Sequence, residues 1–309
     1  MSLDTIKTKN AVKRSKYLFI YGFLAYPLLN FIVFYVIINF NSILLCFQQT
    51  DAETFKSVWV GFDNFKKVIK ELSNNGKLLL YMWNSIKFFF ITFIIGTPLN
   101  ILFGYLFVVN VKGSAFWRFC IMIPTFISGM VTSMLLGKFA ENAMPVLFDK
   151  WFNIKTKSLL RDERYNFGTL CFFVLLTGFS SNIIIYANAM KGSGESLFEY
   201  ARLEGASHIQ RMWHICLPSL YPILVTFIVT GLPGLLAGDP GLYVYYGYGA
   251  PDSVKTTGYY MFILSKNDNA AVIDYSYAAT IGMICTLIAF PITIGVRKLL
   301  DHFDPNNDI

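Results

Sequence analysis

Charge is what this 309-residue chain has least of: Asp, Glu, Lys and Arg make up 15% of it, against roughly 25% in soluble domains. The shortage is also uneven. Six windows, 17–50, 78–111, 119–137, 165–190, 215–238 and 275–296, hold between them a single charged side chain, Lys87. No acid lies inside any of them, which weighs against a proton relay built from intramembrane carboxylates. The phosphate-cradling pattern G-x-x-x-x-G-K-[ST] is missing, so this chain does not bind a nucleotide by that route. Histidine is scarce; His208, His214 and His302 have no metal-ligand spacing. The cysteines, Cys46, Cys120, Cys171, Cys216 and Cys285, are scattered singly, which suits neither a disulfide framework nor a metal site. No Ser–His–Asp set or carboxylate pair suggests catalysis, and no basic patch or binding motif suggests nucleic acid.

What remains is hydrophobic residue, 55% of the chain. About 20 apolar residues suffice for a helix to cross a bilayer core, and each window reaches or approaches that length. Backbone groups in lipid must pair within their own segment, so the windows are read as helices. A β-barrel would show short alternating segments instead. The expected fold class is therefore an all-α polytopic membrane protein with six transmembrane helices. The first window is too long for a signal peptide and ends without a small-residue cleavage site, so it reads as a retained helix. Lys7, Lys9, Lys13, Arg14 and Lys16 crowd its front and favour a cytoplasmic N-terminus. An even number of spans then places both termini in the cytoplasm of a multi-pass protein of the cell membrane. The external loops would be 51–77, 138–168 and 239–274. Trp59, Phe62, Phe65, Trp151 and Phe152 in them would mark the headgroup belt or a docking surface.

The loop 191–214, between the fourth and fifth spans, has more local grammar than the others. Ser196–Glu199 and Ser207–Gln210 both have capping-box spacing, and Gly205 sits where a left-handed helix end needs no Cβ. The spacing predicts a helix over 197–204, a turn at Gly205-Ala206, and a second helix leading to the membrane. Pro218 and Pro222 fall near the start of the fifth span. Such a knob can fit a cleft on a partner; it can equally be an amphipathic connector lying on the bilayer.

The segment from Glu199 to Pro222 resembles the EAA loop of binding-protein-dependent importer permeases of the ATP-binding-cassette (ABC) type I class. Glu199, Ala201, Glu204, Gly205, Ala206, Gln210, Ile215, Leu217, Pro218, Leu220 and Pro222 match that pattern. Tyr200 departs from it by replacing an alanine, and Trp213 stands near the usual aromatic. Further matches point to the carbohydrate branch. Gly61-Phe-Asp-Asn-Phe65, Trp83-Asn84-Ser85, and Arg118 with Pro124-Thr-Phe-Ile-Ser128 resemble sugar-permease segments. Asp274-Tyr-Ser-Tyr-Ala-Ala279 resembles a signature of the LplB-like polysaccharide permeases.

The resemblance implies a division into a tail at 1–16, a first helix with external loop at 17–77, an ABC type I transmembrane domain at 78–300, and a tail at 301–309. It implies a second, similar permease, two cytoplasmic ATPase subunits that bind ATP and Mg, and an extracellular lipoprotein or periplasmic substrate-binding protein. This chain itself would bind no cofactor and perform no catalysis. Glu199, Ala201, Glu204, Gly205, Ala206, Gln210 and Pro218 would transmit motion from the ATPases. Polar residues within the spans are candidates for the solute pathway: Asn182 foremost, with Ser180, Ser181, Tyr186, Thr230 and Asn100. They can equally serve helix–helix hydrogen bonding. The alternatives are an ion-coupled secondary transporter, or a type I permease for a solute other than sugar.

Overall fold

The computed structural model describes residues 3–50, 57–73, 76–109, 113–153, 158–192, 195–266 and 273–304. Helix α1 (Phe19–Leu45) continues a helix that begins at Leu3. It is followed by a short antiparallel hairpin, β1 (Gln48–Thr50) paired with β2 (Ser57–Trp59), and by α2 (Asp63–Ser73). The long helix α3 (Lys77–Val108) leads to α4 (Ser114–Phe126), α5 (Gly129–Lys138) and α6 (Met144–Phe152). Then come α7 (Asn166–Gly192), α8 (Glu195–Leu203) and α9 (His208–Gly231). The chain closes with the short α10 (Gly234–Ala237) and α11 (Leu242–Tyr246), then α12 (Thr257–Lys266) and α13 (Ile273–His302).

Among the described residues, four helices are long and apolar enough to cross a membrane unaided: α1, α3, α9 and the stretch Tyr275–His302 of α13. The six uninterrupted spans expected from the sequence are thus only partly present. The fourth window forms α7 in two halves, Asn166–Gly178 and Asn182–Gly192, bent by 46°. The third window is divided: Ser128 is extended (φ −52°, ψ 133°) and the helix restarts at Gly129. A serine followed by glycine favours a helix start over a helix interior. The fifth window is likewise cut after Gly231, where Leu232 and Pro233 separate α9 from α10. The predicted loop 239–274 contains α12, whose Thr257 and Tyr259 are buried.

Prolines inside the long helices do not break them. Turns of wider, π-type winding at Thr92–Gly96, Phe139–Ala143 and Met212–Cys216 stand two residues ahead of Pro98, Pro145 and Pro218. Proline has no N–H for the carbonyl four residues back and its ring crowds that carbonyl. One extra residue in the preceding turn moves the carbonyl aside and the helix runs on.

The core is built around α3. Its second half packs along α7, and its first half meets α10 and α12, with α13 beyond them. Buried Asn84 donates to the carbonyls of Asp252 (3.3 Å) and Lys255 (2.9 Å). Ser85 donates to the Gly238 carbonyl (3.3 Å) and accepts from the Thr257 N–H (3.0 Å). Asn166, at the start of α7, donates to Ser253 (3.0 Å). Asn84 and Ser85 of the Trp83-Asn84-Ser85 motif are therefore a clasp that fastens the chain between Gly238 and Thr257 to the first half of α3. Lys87 reaches Asn84 Oδ1 (3.4 Å) and lies over the Phe167 ring, which accommodates it in that half.

The clasp has an ionic part. Asp252 accepts from Lys77 (2.6 Å), Tyr81 (2.8 Å) and Lys255 (2.9 Å). The Lys77 bond, then that of Lys255, holds its carboxyl well below the usual carboxylate range. A carboxylate with a depressed folded-state pKa stabilises fully above its unfolded pKa and loses that contribution as pH falls through the folded value. Protease resistance of residues 247–256 is accordingly expected to be flat from about pH 8 to 5 and to fall only below about pH 4. Loss of protection already near pH 6 would contradict this clasp.

The aromatic residues Trp59, Phe62 and Phe65, read as belt or docking residues, gather around Phe47 at ring separations of 5.3–5.6 Å. Asn64, buried beneath them, donates to the carbonyls of Cys46 and Gln48. In α13, Tyr277 donates to Glu71 of α2, and Thr280 donates to the Ser276 carbonyl. The Tyr275–Ala279 part of the signature thus joins α13 to α2; the side chain of Asp274 lies outside the described residues.

Candidate functional site

The loop 191–214 folds as helix, turn and helix. Its first helix is α8, two residues longer at its N-terminal side than predicted. The side chain of Ser196, the first half of the expected capping box with Glu199, lies outside the described residues. Gly205 has φ +79°. The Ala206 N–H bonds the Ala201 carbonyl (2.9 Å) and the Gly205 N–H bonds the Arg202 carbonyl (3.2 Å). This pair of bonds, with a left-handed glycine at the turn, is the Schellman ending of a helix. Ser207 then caps α9. Its side chain accepts from the Gln210 N–H (3.3 Å) while the Gln210 side chain accepts from the Ser207 N–H (2.8 Å). This second box is as the spacing predicted. From Ser207 the helix runs through the widened turn at Met212–Cys216 and past Pro218 to Gly231.

The knob is seated by its inner side. Phe198 and Met212 pack on the cluster of Tyr105, Tyr186, Met190, Cys216 and Leu220. His208 lies 3.5 Å from the Tyr105 hydroxyl, near the far end of α3 from the clasp. The outer side is open: Leu203 is 84% exposed, Tyr200 69%, Ile209 68% and Trp213 58%. Glu199 and Glu204 are exposed on the same knob, and among the described residues neither forms an ion pair. Ala201 and Ala206 are half-buried, and Gln210 is exposed. The result is a rigid projection with apolar residues and two unpaired acids facing outward.

The described candidate pathway residues stand in different surroundings. Tyr186 is buried in the bundle, its ring edge-on to Phe227 at 5.6 Å. Asn100 is buried on α3, and its Oδ1 has no hydrogen-bond partner among the described residues. Thr230 is exposed and donates back to the Thr226 carbonyl (2.7 Å). Asn182 is half-buried where α7 resumes after its bend. The side chains of Ser180 and Ser181 lie outside the described residues. The sequence reading missed a different opening, at the clasp end of the bundle, where Ser133, Asp239, Tyr243, Tyr248, Phe262 and Lys266 meet. Three segments distant in sequence form it. The one local signal was the Asp239-Pro-Gly241 turn, in which Asp239 accepts from the Leu242 N–H (3.2 Å).

Known proteins resemble the chain over nearly its full length. It is 24% identical over 308 residues to the probable ABC transporter permease protein YesP of Bacillus subtilis (strain 168), covering 97% of this chain and 96% of that protein. It is 24% identical over 285 residues to the multiple sugar-binding transport system permease protein MsmF of Streptococcus mutans, covering 91% and 95%. Its fold is similar to a chain of the bacterial alginate ABC transporter solved in complex with an alginate pentasaccharide-bound periplasmic protein. That likeness has a TM-score of 0.75 at 17% identity over 96% of this chain and 98% of that one. Residues 96–308 match the family described as binding-protein-dependent transport system inner membrane component. With over half its length in that match, and with its apolar helices and capped loop, this chain belongs to that family.

Proposed function

We propose that the chain is the permease subunit of an ABC importer for a carbohydrate, and that its 191–214 loop is the part driven by partner ATPases. The carrying observation is the outward face of the knob. A Schellman turn and a capping box fix two helices at a set angle, and Phe198 and Met212 tie them to the bundle. A protein that grips Tyr200, Leu203 and Ile209 can therefore turn α9 as a rigid body. Glu199 and Glu204 supply charge for a basic groove on that protein. Taking the bent α7 and the divided α4–α5 as one crossing each gives six crossings, which would leave both termini and the knob on one side, and the basic residues ahead of α1 favour the cytoplasm for that side. A second permease completes the pathway, two ATPase subunits bind ATP and Mg, and an external binding protein delivers the solute at the clasp end. The carbohydrate reading draws on the sugar and polysaccharide transporters among the similar proteins and on the hydroxyl- and amide-bearing spans.

The test is retrieval and uptake. The tagged chain, taken from its native membrane in mild detergent, is expected to bring an ATP-binding protein with it. Cells carrying the system should accumulate a radiolabelled oligosaccharide only while that ATPase is active. Uptake that persists after the ATPase is inactivated would favour an ion-coupled porter and sink this reading.

A further inference from the structure

The opening at the clasp end has a volume of about 720 Å³. Its walls are the start of α5, the 239–241 turn with α11, and the far end of α12. Asp239 is held in place on one side, where Oδ1 takes the Leu242 N–H and lies 3.5 Å from the Thr256 hydroxyl. Partial burial raises the pKa of the carboxyl from its ordinary value, while the residue as a whole remains exposed. Across from it, Tyr243 stands at steep angles to Tyr248 (5.4 Å, 85°) and to Phe262 (5.0 Å, 63°). The three rings make a corner, and Tyr248 remains 54% exposed. The Tyr248 hydroxyl donates to the carbonyl of Lys266, which fixes that ring at the rim.

An anchored carboxylate, an ammonium and exposed aromatic surface suit few ligand classes together. An apolar ligand would desolvate the Asp239 carboxylate further without offering it a donor, which is costly. A small ion would make no use of the rings. A sugar ring uses all of them: its hydroxyls donate to a carboxylate and accept from an ammonium, and its C–H face lies on aromatic carbon.

We infer that this recess is a glycosyl subsite at the entrance of the pathway, in which Asp239 accepts sugar hydroxyls and Tyr248 carries the apolar face of the ring. The inference rests on the carbohydrate reading above. It places a first contact for the sugar on this subunit before the mid-span residues are reached.

The assembled transporter in lipid nanodiscs, without its binding protein, tests this with maltopentaose, arabinopentaose and an alginate pentasaccharide as probes. Saturation-transfer NMR reports binding, and uptake into proteoliposomes with the binding protein present reports transport. Asp239→Asn keeps an oxygen for the Leu242 N–H but removes the charge, and Tyr248→Ala removes the exposed ring. Each is expected to weaken binding of the recognised probe about tenfold with an unchanged melting temperature. Tyr248→Phe, which keeps the ring, should restore binding. Wild-type affinity in both Asp239→Asn and Tyr248→Ala would overturn the subsite and leave the carbohydrate reading standing. Wild-type uptake of a probe without measurable binding in the absence of the binding protein would also remove the subsite. A wild-type transporter that neither binds nor imports any of the three would overturn both.

Discussion

Replacing Gly205 with valine is expected to stop solute uptake while leaving the chain inserted in the membrane. A Cβ at Gly205 would meet no atom within 4 Å, so crowding is not the cause. The cause is the backbone, at φ +79°. A left-handed conformation costs an L-residue about 1–2 kcal/mol, and a β-branched side chain is the worst fit to it. A penalty of that size disfavours the turn by a factor of about 5 to 30, and the angle between α8 and α9 is lost with it. Alanine should give an intermediate rate, so the series Gly, Ala, Val becomes a measure of turn occupancy. Glu199→Lys separates folding from drive. Its side chain is exposed, so stability should move by less than about 0.5 kcal/mol. Uptake is nonetheless expected to fall to background, because under the proposed role the charge offered to a partner ATPase is reversed. Wild-type uptake by both Gly205→Val and Glu199→Lys would refute the driving role of the knob.

The second large effect is on stability. Asn84→Leu should lower the melting temperature sharply and expose residues 247–256 to protease. Leucine approximates the shape of asparagine but cannot donate to the carbonyls of Asp252 and Lys255 that Asn84 now serves. A buried polar group left unpaired costs about 1–3 kcal/mol, and two are stranded here. The neighbouring Trp83 is more than half exposed, so Trp83→Leu should melt close to the wild type. Equal effects of the two substitutions would show that the loss comes from altered bulk on α3 and not from the clasp.

The parts of this molecule that could be read in advance are those whose chemistry is local. Capping by Ser207 and Gln210 needs a four-residue spacing and nothing else, and Gly205 at the turn follows from the steric freedom of glycine. The apolar windows located the long helices because lipid rewards composition directly. What could not be read depends on distant partners. The contact of the Tyr186 ring with Phe227 of another helix is one such feature. The gathering of Trp59, Phe62 and Phe65 around Phe47, from the preceding window, is another. The recess near Asp239 draws on residues from 129 to 266, and no window of sequence contains it. The division at Ser128 is intermediate: the serine–glycine pair was visible, but an uncharged window overrode it.

The first helix is unlike the others: none of the residues from Phe19 to Leu45 is buried. Its backbone bonds are satisfied within itself and its side chains are suited to lipid. Its integrity is therefore independent of the tertiary fold. Loss of the packed bundle by heat or denaturant would leave this helix standing in the bilayer, so the molecule has two separable levels of order. One is set by the solvent it lives in and the other by its own contacts, and only the second is within reach of the substitutions considered above.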